Sequence, residues 1–99
     1  MWTFAMKLDQ IRDNRVNRAY PKGIALILIR SAGKVHALSS NCPHMGCSLG
    51  GAILENGTVQ CPCHDWKFDA RTGRFTAAKE IGLASYPVKI ENDSVMINL

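Results

Sequence analysis

Apolar and polar residues alternate in short runs along most of this chain, and turn-forming residues separate the runs. Trp2 to Met6 opens the pattern and predicts a first strand, followed by a turn or short helix over Leu8 to Asp13. Val16 to Tyr20 and Ile24 to Arg30 predict two strands around Pro21-Lys22-Gly23. Ser31-Ala32-Gly33 then turns the chain into Lys34 to Leu38, a hairpin. Farther on, Ala52 to Leu54 and Thr58 to Cys61 flank Glu55-Asn56-Gly57, where Asn-Gly is a strong hairpin signal. Trp66 to Phe68 predicts a short strand before the turn Arg71-Thr72-Gly73. Tyr86 to Ile90 and Val95 to Leu99 complete the chain around Glu91-Asn92-Asp93. Outside Leu8 to Asp13, no segment sustains the i, i+3, i+4 stripe of an amphipathic helix. The pattern is all-β, with strands on both sides of an irregular middle.

Composition narrows the classes. A chain of 99 residues makes one domain, burying roughly 65% of its unfolded surface, so a metal or a cross-link matters to its stability. Apolar content of 46% with 20% charged residues is that of a globular protein. The formal charge of +4 is spread without a polybasic run, which argues against a nucleic-acid or membrane-surface partner. The longest apolar run, Ile24 to Ile29, has six residues, against about 20 for a membrane span. The N-terminus lacks the features of a signal peptide. These observations predict a cytoplasmic monomer with no membrane anchor.

The chemistry is concentrated in two stretches. NCPHMGCSLGG (Asn41 to Gly51) and CPCHDWKFD (Cys61 to Asp69) hold all four cysteines and two of the three histidines. Both are loops bounded by predicted strands, so one scaffold can bring them together. Four ligands arranged as Cys42-x-His44, sixteen residues, then Cys61-x-x-His64 suit two metal groups. Zinc takes Cys2His2 tetrahedrally. A [2Fe–2S] cluster takes two cysteines on one iron and two histidines on the other. The one-residue gap in Cys42-x-His44 favours the second, because with two irons each loop can give its cysteine to one and its histidine to the other.

The boxes C-P-H-M-G-C and C-P-C-H resemble the paired C-x-H-x-G-C and C-x-C-H boxes of Rieske proteins. Leu49-Gly50-Gly51, His64-Asp65-Trp66-Lys67-Phe68-Asp69, Arg71-Thr72-Gly73 and Tyr86-Pro87-Val88 extend the resemblance to small Rieske ferredoxins over roughly Lys7 to Leu99. The resemblance implies one [2Fe–2S] cluster, with Cys42 and Cys61 on the buried iron and His44 and His64 on the solvent-facing one. It implies the Rieske (ISP-domain-like) fold over residues 1–99: an antiparallel β-sandwich with a small cluster-binding subdomain at about residues 40–70.

Two features set this chain apart within the family. Cys47 and Cys63 match the cysteines that form a disulfide in the high-potential Rieske proteins of cytochrome bc complexes, whereas most dioxygenase-type ferredoxins lack both. The resemblance thus implies a Cys47–Cys63 disulfide, for which loop closure alone is worth about 3 kcal/mol in the chain-entropy model. Conversely, Trp66 and Phe68 stand where high-potential members carry Ser and Tyr hydroxyls that hydrogen-bond the cluster. Fewer donors stabilise the reduced state less, so the expected potential lies below the respiratory class.

There is no nucleophile–base pair and no nucleotide loop. The expectation is therefore a one-electron carrier and not an enzyme, placed by resemblance between a flavin reductase and a terminal oxygenase or other redox enzyme. A small subunit of an NAD(P)H nitrite reductase, the soluble head of a respiratory Rieske subunit and a zinc-stabilised binding module are the alternatives. His36 is expected to be an ordinary strand histidine. Lys67, Arg71 and Arg74 are expected as solvated turn residues, and Phe75-Thr76-Ala77-Ala78 as a shortened form of the proline-bearing loop that covers the cluster in the family.

Overall fold

The computed structural model describes residues 1–13, 15–31, 33–41, 48–49, 52–55, 57–62, 66–78 and 80–99, leaving aside the side chains of Ser31 and Ile53. Within them the chain is built of antiparallel strands: β1 Trp2–Lys7, β2 Val16–Ala19, β3 Leu26–Ser31, β4 Lys34–Ser39, β5 Ile53–Glu55, β6 Thr58–Gln60, β7 Lys67–Asp69, β8 Ser85–Tyr86, β9 Val88–Glu91 and β10 Ser94–Asn98. They pair into three sheets, ordered β1-β10-β9, β2-β3-β4-β8 and β5-β6-β7. The turn or short helix expected over Leu8 to Asp13 is a single 3-10 turn, Leu8–Gln10, and a second such turn spans Pro21–Gly23. No helix among the described residues is long and apolar enough to cross a membrane.

The six-residue apolar run has a physical explanation in this arrangement. Side chains alternate between the two faces of a strand, and β3 is covered on both. Ile27 and Ile29 of β3, with Leu38 of β4, pack against Val59, Cys61 and Phe68 on the sheet of β5 to β7. Leu26 and Leu28, with Ala37, face the other way onto Val95 and Ile97 of β10. A strand buried on both faces reads as a continuous apolar run, and this one lies between two half-cores.

The polar groups that enter this core are satisfied. Asn17 accepts from the Arg12 N–H at 2.9 Å and donates to the carbonyls of Arg12, Arg15 and Leu28, at 3.1, 3.1 and 3.2 Å. It thereby ties the turn before β2 to β3. Among the described residues no buried side-chain nitrogen or oxygen lacks a partner, as is general for folded interiors.

The chain ends meet. Trp2 pairs with Asn98 across β1 and β10, and the terminal amino group donates to the Leu99 carbonyl at 2.9 Å. Between β9 and β10 the turn Asn92-Asp93 has φ of 51° and 61°, the left-handed pair that suits the twist of a two-residue hairpin. Tyr86 to Ile90, expected as one strand, is two. β8 pairs with β4 in the middle sheet, whereas β9 pairs with β10 in the terminal sheet. Pro87 stands at the break. It has no N–H to give to a ladder, and the chain crosses between sheets at that residue.

Among the described glycines, Gly73 combines a positive φ with a close approach of main chain. Its φ is +78°, and a Cβ there would lie 2.8 Å from the Leu83 carbonyl and 3.1 Å from Leu38 Cδ2. Gly73→Ala therefore combines backbone strain with a clash against main chain. It is expected to cost about 2 kcal/mol and to lower Tm by roughly 10 °C in a domain of this size, as a thermal melt followed by circular dichroism will measure.

Candidate metal centre

The two Cys/His loops grow from strands that the core holds firmly. After β4, Ser40 donates its N–H to the Ala25 carbonyl at 3.1 Å and accepts from Leu49 N–H at 2.7 Å. Asn41 and Ser48 form an antiparallel bridge, and the Ser40 and Ser48 hydroxyls lie 3.4 Å apart. The first loop is thus pinched at its base. The second is pinched in the same way. The β6–β7 register, Val59 with Phe68 and Gln60 with Lys67, continues to Cys61 opposite Trp66, where the Cys61 N–H reaches the Trp66 carbonyl at 2.7 Å.

One buried cluster roots both loops. Leu49, at the end of the first, and Cys61, at the start of the second, are both fully buried and pack in the same group as Ile27, Leu38, Val59, Phe68 and Leu83. Loops that leave a shared core side by side are what a site with ligands from two segments requires. Leu49 was not singled out by its residue type. The signal for it is an apolar residue immediately before two glycines in an otherwise polar loop.

Of the predicted ligands the structure describes Cys61 alone, and its thiol is buried and in no disulfide. Cys42, His44 and His64 lie outside the described residues, as do Cys47 and Cys63. Among the described residues no other group of His, Cys, Asp or Glu side chains could hold a metal. The donor set fits a [2Fe–2S] group as far as it is described: a buried sulfur, free of any cross-link, at the root of one of two adjoining loops. His36, the histidine outside the boxes, sits on β4 opposite Ile29. It lines a cavity of 440 Å³ with Arg71, Ser85 and Tyr86.

Trp66 and Phe68 differ in their surroundings. Phe68 is fully buried, whereas Trp66 is half-buried and packs against the cluster of apolar residues that contains Cys61. Phe75, which the sequence placed in a reduced covering loop, joins them: its ring stacks on Trp66 at 4.1 Å and lies 5.6 Å from Phe68. Its segment extends the sheet beyond β7, with a Phe68–Phe75 bridge and bonds from Asp69 N–H to Arg74 and from Thr76 N–H to Lys67, at 2.8 and 3.0 Å.

On the other face of β7 the residues are polar. Lys67, Arg71 and Arg74 are exposed. The Asp69 carboxylate accepts from the N–H groups of Arg71 and Thr72 at 2.8 and 3.3 Å and lies 3.8 Å from the Arg71 guanidinium. It thus shapes the turn that precedes Gly73 and offsets part of the basic charge.

Comparison with known proteins agrees with this geometry. The family model described as "Rieske [2Fe-2S] domain" matches residues 1–87. The ferredoxin component of a naphthalene 1,2-dioxygenase system from Pseudomonas aeruginosa is 33% identical over 99 residues, spanning 99% of this chain and 95% of the relative. The solved ferredoxin of Sphingomonas yanoikuyae B1 superposes with a TM-score of 0.88 at 24% identity, over 100% of this chain and 99% of that one. A structure titled as a complex of reduced oxygenase and oxidized ferredoxin in carbazole 1,9a-dioxygenase contains a chain that matches with a TM-score of 0.85 at 20% identity, over 97% of this chain and 91% of that one. The last two likenesses are of fold. Nothing in these matches speaks for a Cys47–Cys63 cross-link.

Phe68 lies beneath the second loop and fills the core that both loops share. Phe68→Ala is expected to cost about 3–5 kcal/mol through the cavity it leaves, a loss that urea unfolding monitored by circular dichroism will quantify.

Proposed function

The chain belongs to the Rieske [2Fe–2S] family of electron-transfer proteins, and on that premise we propose that it is the ferredoxin component of an oxygenase system. It takes one electron at a time from a flavin reductase and passes it to a terminal oxygenase. Identity to a dioxygenase ferredoxin along nearly the whole of both chains is the observation that carries this reading. The burial of Leu49 and Cys61 in one cluster supports it from the structure. The bound cluster supplies the one-electron couple, between two ferric irons and a ferric–ferrous pair.

In this reading Cys42 and Cys61 hold the inner iron, and His44 and His64 hold the outer one, where a partner can approach. The buried position of the Cys61 thiol supports its assignment to the inner iron. A single domain over residues 1–99 is part of this reading, and the pairing of β1 with β10 supports it. Its cytoplasmic location and monomeric state belong to the same proposal, as does a Cys47–Cys63 disulfide that would tie the two pinched loops together.

Among the described residues, Cys61 is buried in an apolar cluster that includes Phe68. Phe68 has no polar atom, so hydrogen bonding to cluster sulfur from that position is lost. A site with two thiolates gains one negative charge on reduction, and an apolar neighbourhood stabilises that charge poorly. The potential is therefore low within the Rieske span of about −150 to +300 mV.

Purified protein is expected to be red-brown, with two irons and two acid-labile sulfides per cluster and an EPR signal that appears on reduction; colourless, zinc-loaded protein would refute the reading. Cys61→Ser is expected to abolish the visible absorption and the iron content. Voltammetry should place the midpoint nearer the low end of the family span than the high end. Alkylation of denatured protein, with and without prior reduction, followed by mass spectrometry should find Cys47 and Cys63 protected together until a reductant is added. Modification of both without reductant would remove the disulfide.

A further inference from the structure

Trp66 and Phe75 face each other at 4.1 Å with their ring planes 5° apart. The Trp66–Phe68 and Phe68–Phe75 pairs are instead tilted, by 45° and 41°. Register explains why the three rings meet. Residues opposite each other in an antiparallel ladder point to the same face of the sheet. Val59 is opposite Phe68, Phe68 is opposite Phe75, and the ladder continues to Cys61 opposite Trp66. Cys61, Trp66, Phe68 and Phe75 therefore lie on one face, with Trp66 across the ladder from Cys61 and Phe75 across it from Phe68, and both Trp66 and Phe75 pack against the buried cluster that contains Cys61.

Phe75 is itself held by main chain. Its N–H donates to the Ile81 carbonyl at 2.9 Å, the Ile81 N–H to Ala78 at 3.0 Å and the Thr76 N–H to Lys67 at 3.0 Å. The short segment after Phe75 is thus a closed turn whose first residue is fixed against β7. Trp66 stands immediately before β7, and its carbonyl accepts the Cys61 N–H at 2.7 Å. A ring stacked face to face confines the indole plane.

We propose that Phe75 is a positioning residue for the metal centre: by stacking on Trp66 it holds the indole against Cys61 and keeps water from that sulfur. The inference rests on Cys61 being a ligand. Water that reaches a ligating sulfur stabilises the added electron, so the Phe75–Trp66 pair lowers the potential by shielding, separately from the missing hydroxyl at Phe68.

The test uses the cluster-loaded full chain with Phe75→Ala, Phe75→Leu and Phe75→Tyr. Trp2→Phe is added to each for fluorescence, so that Trp66 is the one remaining tryptophan. For Phe75→Ala the expected result is a severalfold rise in acrylamide quenching of Trp66, a severalfold faster bleaching of the cluster by an iron chelator and a higher midpoint potential. Phe75→Tyr keeps the stack and should return all three to wild-type values. If Phe75→Ala fails to load iron, Phe75→Leu carries the comparison, because it keeps apolar volume without a ring; a raised potential with a Tm close to wild type is then the supporting result. Wild-type quenching and potential in the loaded variant, whether Ala or Leu, would overturn the proposal. A Cys61→Ser chain that keeps its iron would overturn the ligand assignment, and the proposal with it, through a different measurement.

Discussion

Cys61 donates its backbone N–H to the Trp66 carbonyl at 2.7 Å, and Leu49 donates to Ser40 at the same distance. These two bonds close the loops that carry the Cys/His boxes, and everything else in the molecule is arranged around keeping them together. A centre with ligands from two segments tolerates little change in their separation, since metal–ligand distances vary by only tenths of an ångström. Here that separation is governed by packing: the residue that donates at each loop base is also a fully buried member of one core. The same two positions thus satisfy main-chain hydrogen bonding and fix the loops laterally.

The middle sheet makes this possible in so short a chain. It is apolar on both faces, so β3 and β4 anchor the subdomain of β5 to β7 on one side and the terminal sheet of β1, β9 and β10 on the other. The second contact seats β10, which pairs with β1 at the chain ends, on the face of the middle sheet opposite to Val59, Cys61 and Phe68. Pro87 hands the chain from one layer to the other without leaving an unpaired N–H in a ladder. Two half-cores thus share one sheet, which lets a short chain bury both the subdomain of β5 to β7 and the terminal sheet.

The aromatic residues by the second loop give the site its character. A polar neighbourhood would stabilise the reduced state and raise the potential; the buried cluster that holds Cys61 instead contains Phe68, and the stacked pair of Trp66 and Phe75 packs against it. On the opposite face of β7 the same short strand presents Lys67 to solvent. Period-two alternation therefore sets an apolar lining on the side of the Cys61 sulfur and a charged surface on the other, within three residues.

Much of this was legible in the chain itself. Alternation located the strands, Pro21-Gly23 and Asn92-Asp93 marked their turns, and the two boxes named the ligand types because thiolate and imidazole at those spacings suit few metal groups. Local signals of this kind depend on residues close in sequence. What they leave open is which strand lies beside which. Tyr86 to Ile90 alternates like one strand, yet its halves join different sheets, since period two reports faces and not partners. Phe75 looked like part of a shortened loop until the bridge to Phe68 set its ring on Trp66. Leu49 and Cys61 stand twelve positions apart, and no pattern in either stretch says that they share a core. The sequence by itself placed most of the strands and turns and named the candidate donor types, because these depend on residues close together in the chain. Tertiary structure alone decided their neighbours, because contacts between distant segments follow from how three sheets bury their faces together.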